Sequence, residues 1–202
     1  MKKGIFLLAV TLLTSNIFAQ KAELTSAILS FRKQDMSAAK SYLDKAEEKL
    51  NNGSTLKSKD LGKFWYHKGL VYYSLFEANK NFDFLTAATN AFKTDTETNG
   101  STYSNKSSNE LIRCAIAFNN EAYEKYEGKD FASAMNLFEK VVEINAYDAI
   151  SKIDTSNLYN ASLMAVQAKN SEKAIELFNK LLVLDPNNGD YHLSLIQQYV
   201  KI

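Results

Sequence analysis

Asn170-Ser-Glu-Lys-Ala-Ile-Glu-Leu-Phe-Asn-Lys-Leu-Leu-Val-Leu-Asp-Pro-Asn187 nearly repeats an earlier stretch, Gly128-Lys-Asp-Phe-Ala-Ser-Ala-Met-Asn-Leu-Phe-Glu-Lys-Val-Val-Glu-Ile-Asn145. Laid on one another, Ala174 falls on Ala134, Phe178 on Phe138, Lys180 on Lys140 and Leu184 on Ile144, a spacing of 40 residues. Near-copies at such a period are the mark of stacked helical hairpins. In the later copy Ala174, Ile175, Leu177, Phe178, Leu181 and Leu182 recur in three- and four-residue steps, which makes one buried helix face. Asn170-Ser171 supplies a turn and a cap before that helix. Asp185-Pro186-Asn187-Asn188 ends it, because proline cannot continue the hydrogen-bond ladder. The preceding Thr155 to Gln167 carries Leu158, Ala161, Leu163, Ala165 and Val166 and reads as the first helix of the same hairpin.

Small Ala174 and large Phe178 lie one turn apart on one face, so the partner helix can approach at the alanine while the ring fills the space beside it. In this small-then-large order, and in the Asp-Pro terminator, Ala174 to Asn188 resembles the second helix of the tetratricopeptide repeat family. Ala134 to Asn145 resembles it too, with Gly128 to Phe131 as the turn. An earlier copy has Trp65, Gly69 and Tyr72 at the family's spacing, then Ala88 and Phe92 four apart. The first copy has Ala39, Leu43 and Ala46 after the turn Lys33-Gln34-Asp35-Met36.

The resemblance implies an all-α, right-handed α-solenoid of about four such hairpins plus a C-terminal helix. The alanine positions 39, 88, 134 and 174 are 49, 46 and 40 residues apart, longer than the family's period of roughly 34. Gly69 to Ala88 spans 19 residues, which predicts either a longer first helix or an inserted loop around Asn79 to Thr86. The polar run Thr94 to Asn109 is expected to be a long loop, and Asn51 to Thr55 a shorter one. Asp190 to Ile202 resembles the first helix of a further repeat, either a terminal capping helix or part of a longer natural chain; its apolar residues on several sides favour a longer chain or a site covered by a partner.

Lys2 and Lys3 followed by the apolar run Ile5 to Leu13, with Ala19-Gln20 beyond, read as a secretory signal peptide over residues 1–19. The run falls short of the roughly 20 residues a spanning helix needs. The expectation is cleavage near Ala19, a repeat domain over residues 20–202, no membrane span, and a periplasmic or secreted location. Setting Lys2 and Lys3 aside takes the balance from 24 Lys and Arg against 23 Asp and Glu to 22 against 23. A near-neutral chain of interspersed signs gives no electrostatic basis for a nucleic-acid partner. The single Cys114 sits among Leu111, Ile112, Ala115 and Ile116 and is expected to be a buried thiol.

The residues offer little for catalysis. His67 and His192 stand far apart, and one cysteine with two such histidines does not supply a zinc site. No serine has an adjacent base. The glycines Gly53, Gly100 and Gly128 each stand alone in a turn, so no phosphate-cradling loop is built. The expectation is a protein that is not an enzyme, with no catalytic residue, cofactor or metal.

What the family resemblance implies instead is a concave groove lined by the first helices. By register its positions here are Lys63, Tyr66, Leu70 and Tyr73, then Asn119, Tyr123 and Tyr126, then Tyr159, Leu163 and Val166. Tyrosine suits recognition because it joins a large apolar area to one polar handle. The expected function is a non-catalytic scaffold or adaptor of the bacterial envelope that binds a partner peptide or helix in this groove. The alternative is a self-associating solenoid that stacks through its open C-terminal helix.

Overall fold

The structure is a computed structural model and describes residues 21–202; the expected signal peptide lies outside the described residues. Every regular element among them is helical, with no strand. In chain order these are α1 (residues 21–32), α2 (Met36–Asn51), α3 (Ser58–Asn79), α4 (Phe82–Glu97), α5 (Ser104–Glu127), α6 (Phe131–Asn145), α7 (Thr155–Gln167), α8 (Ser171–Leu184) and α9 (Gly189–Tyr199). They form four hairpins, α1–α2, α3–α4, α5–α6 and α7–α8, followed by α9. The fold is the expected all-α helical repeat. The chain divides into two compact units, Met1–Leu111 and Ile112–Ile202, and α5 runs across the division.

One device makes all four hairpin turns. The first or second residue past the first helix takes a left-handed backbone: Gln34 (φ 62°), Lys80 (57°), Lys129 (61°) and Lys169 (58°). The next residue is Asp35, Asn81, Asp130 or Asn170, and its side chain accepts a backbone N–H of the second helix. In three of the turns the capping residue also closes the first helix. The Asp35, Asp130 and Asn170 amides donate to the carbonyls of Ser30, Lys125 and Ala165 at 2.8–3.0 Å, a Schellman closure. A single residue thus satisfies orphan carbonyls of one helix and orphan amides of the next. The left-handed residue is Lys129 rather than its neighbour Gly128, whose φ is not positive.

Packing inside each unit follows the small-then-large pattern. In unit 1, Leu24, Ala27 and Ile28 of α1 meet Ala39, Leu43 and Ala46 of α2, with Phe64 and Val71 of α3 in the same cluster. Further along, Ala88 and Phe92 of α4 are fully buried. Gly69 makes room for that ring: a Cβ there would stand 2.3 Å from the nearest Phe92 carbon. In unit 2, Ala134 and Phe138 of α6 and Ala174 and Phe178 of α8 lie in one core with Leu158, Ala161 and Ala165 of α7. Each fully buried phenylalanine contributes about 1.5–3 kcal/mol of burial.

Two expectations about the connections need correction or choice. The long spacing after Gly69 is taken up by α3, which continues for 22 residues to Asn79, and only Lys80 and Asn81 separate it from α4. The run 94–109 is mostly helix, because α4 extends to Glu97 and α5 begins at Ser104, leaving residues 98–103 as the connection. Its hydroxyls are satisfied on the helices themselves. Thr94, Thr96 and Thr98 donate to the carbonyls of Asn90, Lys93 and Thr94, and Ser108 to that of Ser104.

A buried aspartate staples each of two connections between hairpins. In unit 1, Asp95 accepts from the hydroxyls of Ser101 at 2.5 Å and Ser107 at 2.6 Å. Burial pushes its carboxyl above the usual range against these two hydrogen bonds. Gly62 admits the strap, since a Cβ there would lie 2.2 Å from Ser101 Oγ. In unit 2, Asp154 caps α7 by accepting the Asn157 amide, and also takes the Asn145 side-chain amide at 2.6 Å. Burial pushes this carboxyl up, but the Asn157 and Asn145 hydrogen bonds prevail and hold it below the usual range.

Candidate functional site

The positions implied by the family register fall into both units. Lys63, Tyr66, Leu70 and Tyr73 belong to unit 1; Asn119, Tyr123, Tyr126, Tyr159, Leu163 and Val166 belong to unit 2.

In unit 1 these side chains are largely covered. Tyr73 is only 9% exposed and packs edge-on against Phe76, so it is part of the core rather than of a binding face. The register, which gives only the helix side, does not anticipate Phe76, which packs on Tyr73 and in turn on Phe82. Tyr66 is half-buried, stacked on Tyr103 with centroids 4.9 Å apart and planes at 24°, and 6.2 Å from Phe92. His67 lies beside both tyrosines and donates Nδ1–H to the Lys63 carbonyl at 2.8 Å. Burial lowers its pKa; the carbonyl bond opposes that, and the charges of Lys63, Arg32 and Lys106 reinforce it. The imidazole is therefore neutral and structural at neutral pH.

In unit 2 the two tyrosines of α5 present the opposite picture, while Tyr159 of α7 is covered much as Tyr66 is. Tyr123 and Tyr126 of α5 are each 46% exposed. Their inner edges rest on α6, Tyr123 at 5.2 Å from Phe138 and Tyr126 at 6.3 Å from Phe131. Asn160 of α7 donates Nδ2–H to the Tyr123 hydroxyl at 3.3 Å. Tyr159 is half-buried, with Tyr191 at 5.5 Å and Phe178 at 6.5 Å. Leu163 and Val166 are partly buried against the same core. Asn119 is half-buried, and its Oδ1 is shielded from solvent without a donor among the described residues.

Two residues that sequence reasoning assigned only as neighbours of Cys114 extend this surface. Ile112 and Ile116 are 44% and 55% exposed, whereas Cys114 is fully buried as expected. Positions 112, 116, 119, 123 and 126 advance by four and three residues in turn, so they share one stripe along α5. That spacing was the available signal. Exposure of a large apolar stripe, rather than of scattered single residues, is what marks an interaction surface.

No three His, Cys, Asp or Glu side chains gather as a metal site among the described residues. A shallow apolar recess lined by Val142, Ala146, Ile153, Leu158 and Leu184 includes none of the tyrosines. No described helix is long and apolar enough to cross a membrane.

No curated protein matches the chain. The family model for the tetratricopeptide repeat does match, over residues 155–188. The match begins where α7 begins, contains the whole of α8 with Ala174 and Phe178, and takes in the terminator at Pro186. Over its fourth helical hairpin, this chain is similar to the tetratricopeptide repeat family.

Proposed function

We propose that this protein is a non-catalytic adaptor of the bacterial envelope which docks a peptide or helix of a protein partner on the α5 face of unit 2. The tetratricopeptide repeat suggests protein–protein interaction in general. The observation that carries the narrower reading is the exposed stripe of Ile112, Ile116, Tyr123 and Tyr126. Burial of these side chains would supply most of the affinity, at about 25 cal/mol per Å² of apolar area before the costs of association. Asn160, already bonded to the Tyr123 hydroxyl, would add a hydrogen bond to the partner's backbone. The envelope location rests on the signal-peptide pattern of residues 1–19.

The test is affinity capture from envelope extract with the wild type and with Tyr123→Ala and Tyr126→Ala, read by mass spectrometry. A partner retained by the wild type and lost by both variants, with unchanged circular dichroism, is the expected result. Equal capture by all three proteins would remove the α5 face from consideration.

A second reading has its own observation. On α9, Leu193, Ile196 and Tyr199 are more than half exposed, and Val200 just beyond it is 83% exposed, so a copy of the chain could stack there. Light scattering over a concentration series separates the readings, since a strict monomer at all concentrations rules stacking out.

A further inference from the structure

We infer that two copies of this chain pair through α9 about a two-fold axis, antiparallel, with Ile196 of each copy near the axis and Asp190 of one copy against Lys201 of the other. This rests on the self-association reading above and fixes its partner and geometry: a closed pair instead of an open stack.

The first observation is a change of size at one position. In each hairpin the first helix has a small residue where the second helix comes close. Ala27, Ala122 and Ser162 each stand 12 residues before the buried alanine of the second helix (39 − 27, 134 − 122, 174 − 162), and all three are buried. Gly69 fills this role in α3, where even a Cβ would meet the Phe92 ring. Asp154 and Asn188 cap α7 and α9 in the same way, each accepting the amide three residues on. Ser162 of α7 therefore corresponds to Ile196 of α9 (162 − 154 = 196 − 188 = 8). Ile196 is 59% exposed. A branched isoleucine blocks the approach that a ring such as Phe178 needs, so α9 is not shaped for the second helix of an ordinary hairpin. It suits a facing row of large side chains, which pack as ridges into grooves.

The second observation is that this face is its own complement. Gln198 is buried and accepts the Ser171 hydroxyl of α8 at 3.1 Å, which fixes the outward side of α9. On that side Leu193, Ile196, Tyr199 and Val200 recur in helical steps, and Leu193 to Val200 contains no charged residue. His192, on the same side, is turned back to the Pro186 carbonyl. Asp190 precedes the run and Lys201 follows it, both exposed. Helical backbone persists through Val200. The two charges are 11 residues apart (201 − 190), close to three turns, so they lie on one flank of the helix. At about 1.5 Å of rise per residue they stand roughly 16 Å apart, beyond ion-pair reach within one chain. An antiparallel two-fold joins them twice, once at each end, and sets Leu193 across from Tyr199 and Val200. A parallel pair would put like charges at the same ends. A two-fold interface uses the same patch on both copies and stops at two.

The test uses the full chain. Light scattering over a concentration series should rise to the mass of two copies and level off there. Ile196→Ser, which restores the small residue of the other hairpins, should weaken pairing by about tenfold, and Ile196→Glu by about a hundredfold, both with unchanged circular dichroism. Asp190→Lys alone and Lys201→Asp alone should each weaken it by about threefold or more, and the double swap should restore it. Ile196→Cys should form a disulfide-linked pair under mild oxidation, and Val183→Cys, exposed on α8, should not. A strict monomer at all concentrations overturns the proposal together with the self-association reading. Growth past two copies, a dimer left intact by both Ile196→Ser and Ile196→Glu, or a dimer that Ile196→Cys leaves unlinked overturns the two-fold arrangement while self-association stands.

Discussion

Unit 1 and unit 2 are built from the same hairpin, yet the tyrosines of α3 and those near the end of α5 are treated in opposite ways. In unit 1, Tyr73 is sealed against Phe76 and Tyr66 is overlaid by Tyr103. In unit 2, Tyr123 and Tyr126 keep nearly half their surface in solvent, beside two exposed isoleucines. Helical register settles which side of a helix a residue occupies. What neighbouring segments lay over that side is decided by the connections, and the connections are where the units differ most. A surface for a partner is therefore a property of a covered or uncovered hairpin, not of the repeat alone.

The largest effect that would sharpen the contrast is on stability. Tyr73→Ala should destabilise the fold by about 3 kcal/mol, because it removes a buried ring and leaves a cavity. Tyr126→Ala, which takes away a half-exposed ring, should cost less than about 1 kcal/mol. Urea unfolding of the two variants measures both. Equal losses would mean that Tyr126 is as much a core residue as Tyr73, and the contrast between the units would fail.

The two aspartate staples give a smaller effect with a sign of its own. Asp154 is held below the usual carboxylate range, so its contribution is present at neutral pH and is lost as pH falls through its depressed native value. Asp154→Asn points an amide N–H at the Asn145 donor and should cost about 1–3 kcal/mol at pH 7, with the deficit shrinking in acid. Asp95 is raised by burial, so the native state binds a proton more readily than the unfolded chain. Its effect runs the other way: stability rises as pH falls from the raised native value toward the ordinary one. Asp95→Asn imitates the protonated form and should be no less stable than the wild type at pH 7. Thermal melts of both variants from neutral pH into acid test this, and parallel pH profiles would contradict it.

Much of the scaffold can be read directly from residue spacing. Ala134 with Phe138 and Ala174 with Phe178 identify the buried faces, and Asp130 and Asn170 mark the turns, because small-then-large packing and capping are local requirements. The boundaries around residues 94–109 are not legible in the same way. Threonine, serine and asparagine usually signal a loop, but here the hydroxyls of Thr94, Thr96 and Ser108 bond back to helix carbonyls, and Asp95 gathers Ser101 and Ser107 from across the turn. That last contact is tertiary and leaves no periodic trace. The candidate site divides in the same manner. Tyr123, Tyr126 and Asn119 follow from register, whereas the burial of Tyr73, the cover over Tyr66 and the exposure of Ile112 and Ile116 depend on what packs above them.

The most direct measurement of the central claim is site-specific photocrosslinking in living cells, with a benzophenone amino acid placed in turn at Tyr123, Tyr126 and Val183. Crosslinks to a protein partner from positions 123 and 126, and none from the exposed Val183 of α8, are expected. Absence of any adduct from 123 and 126, or adducts from 183 alone, would contradict the assignment of the α5 face as the docking surface.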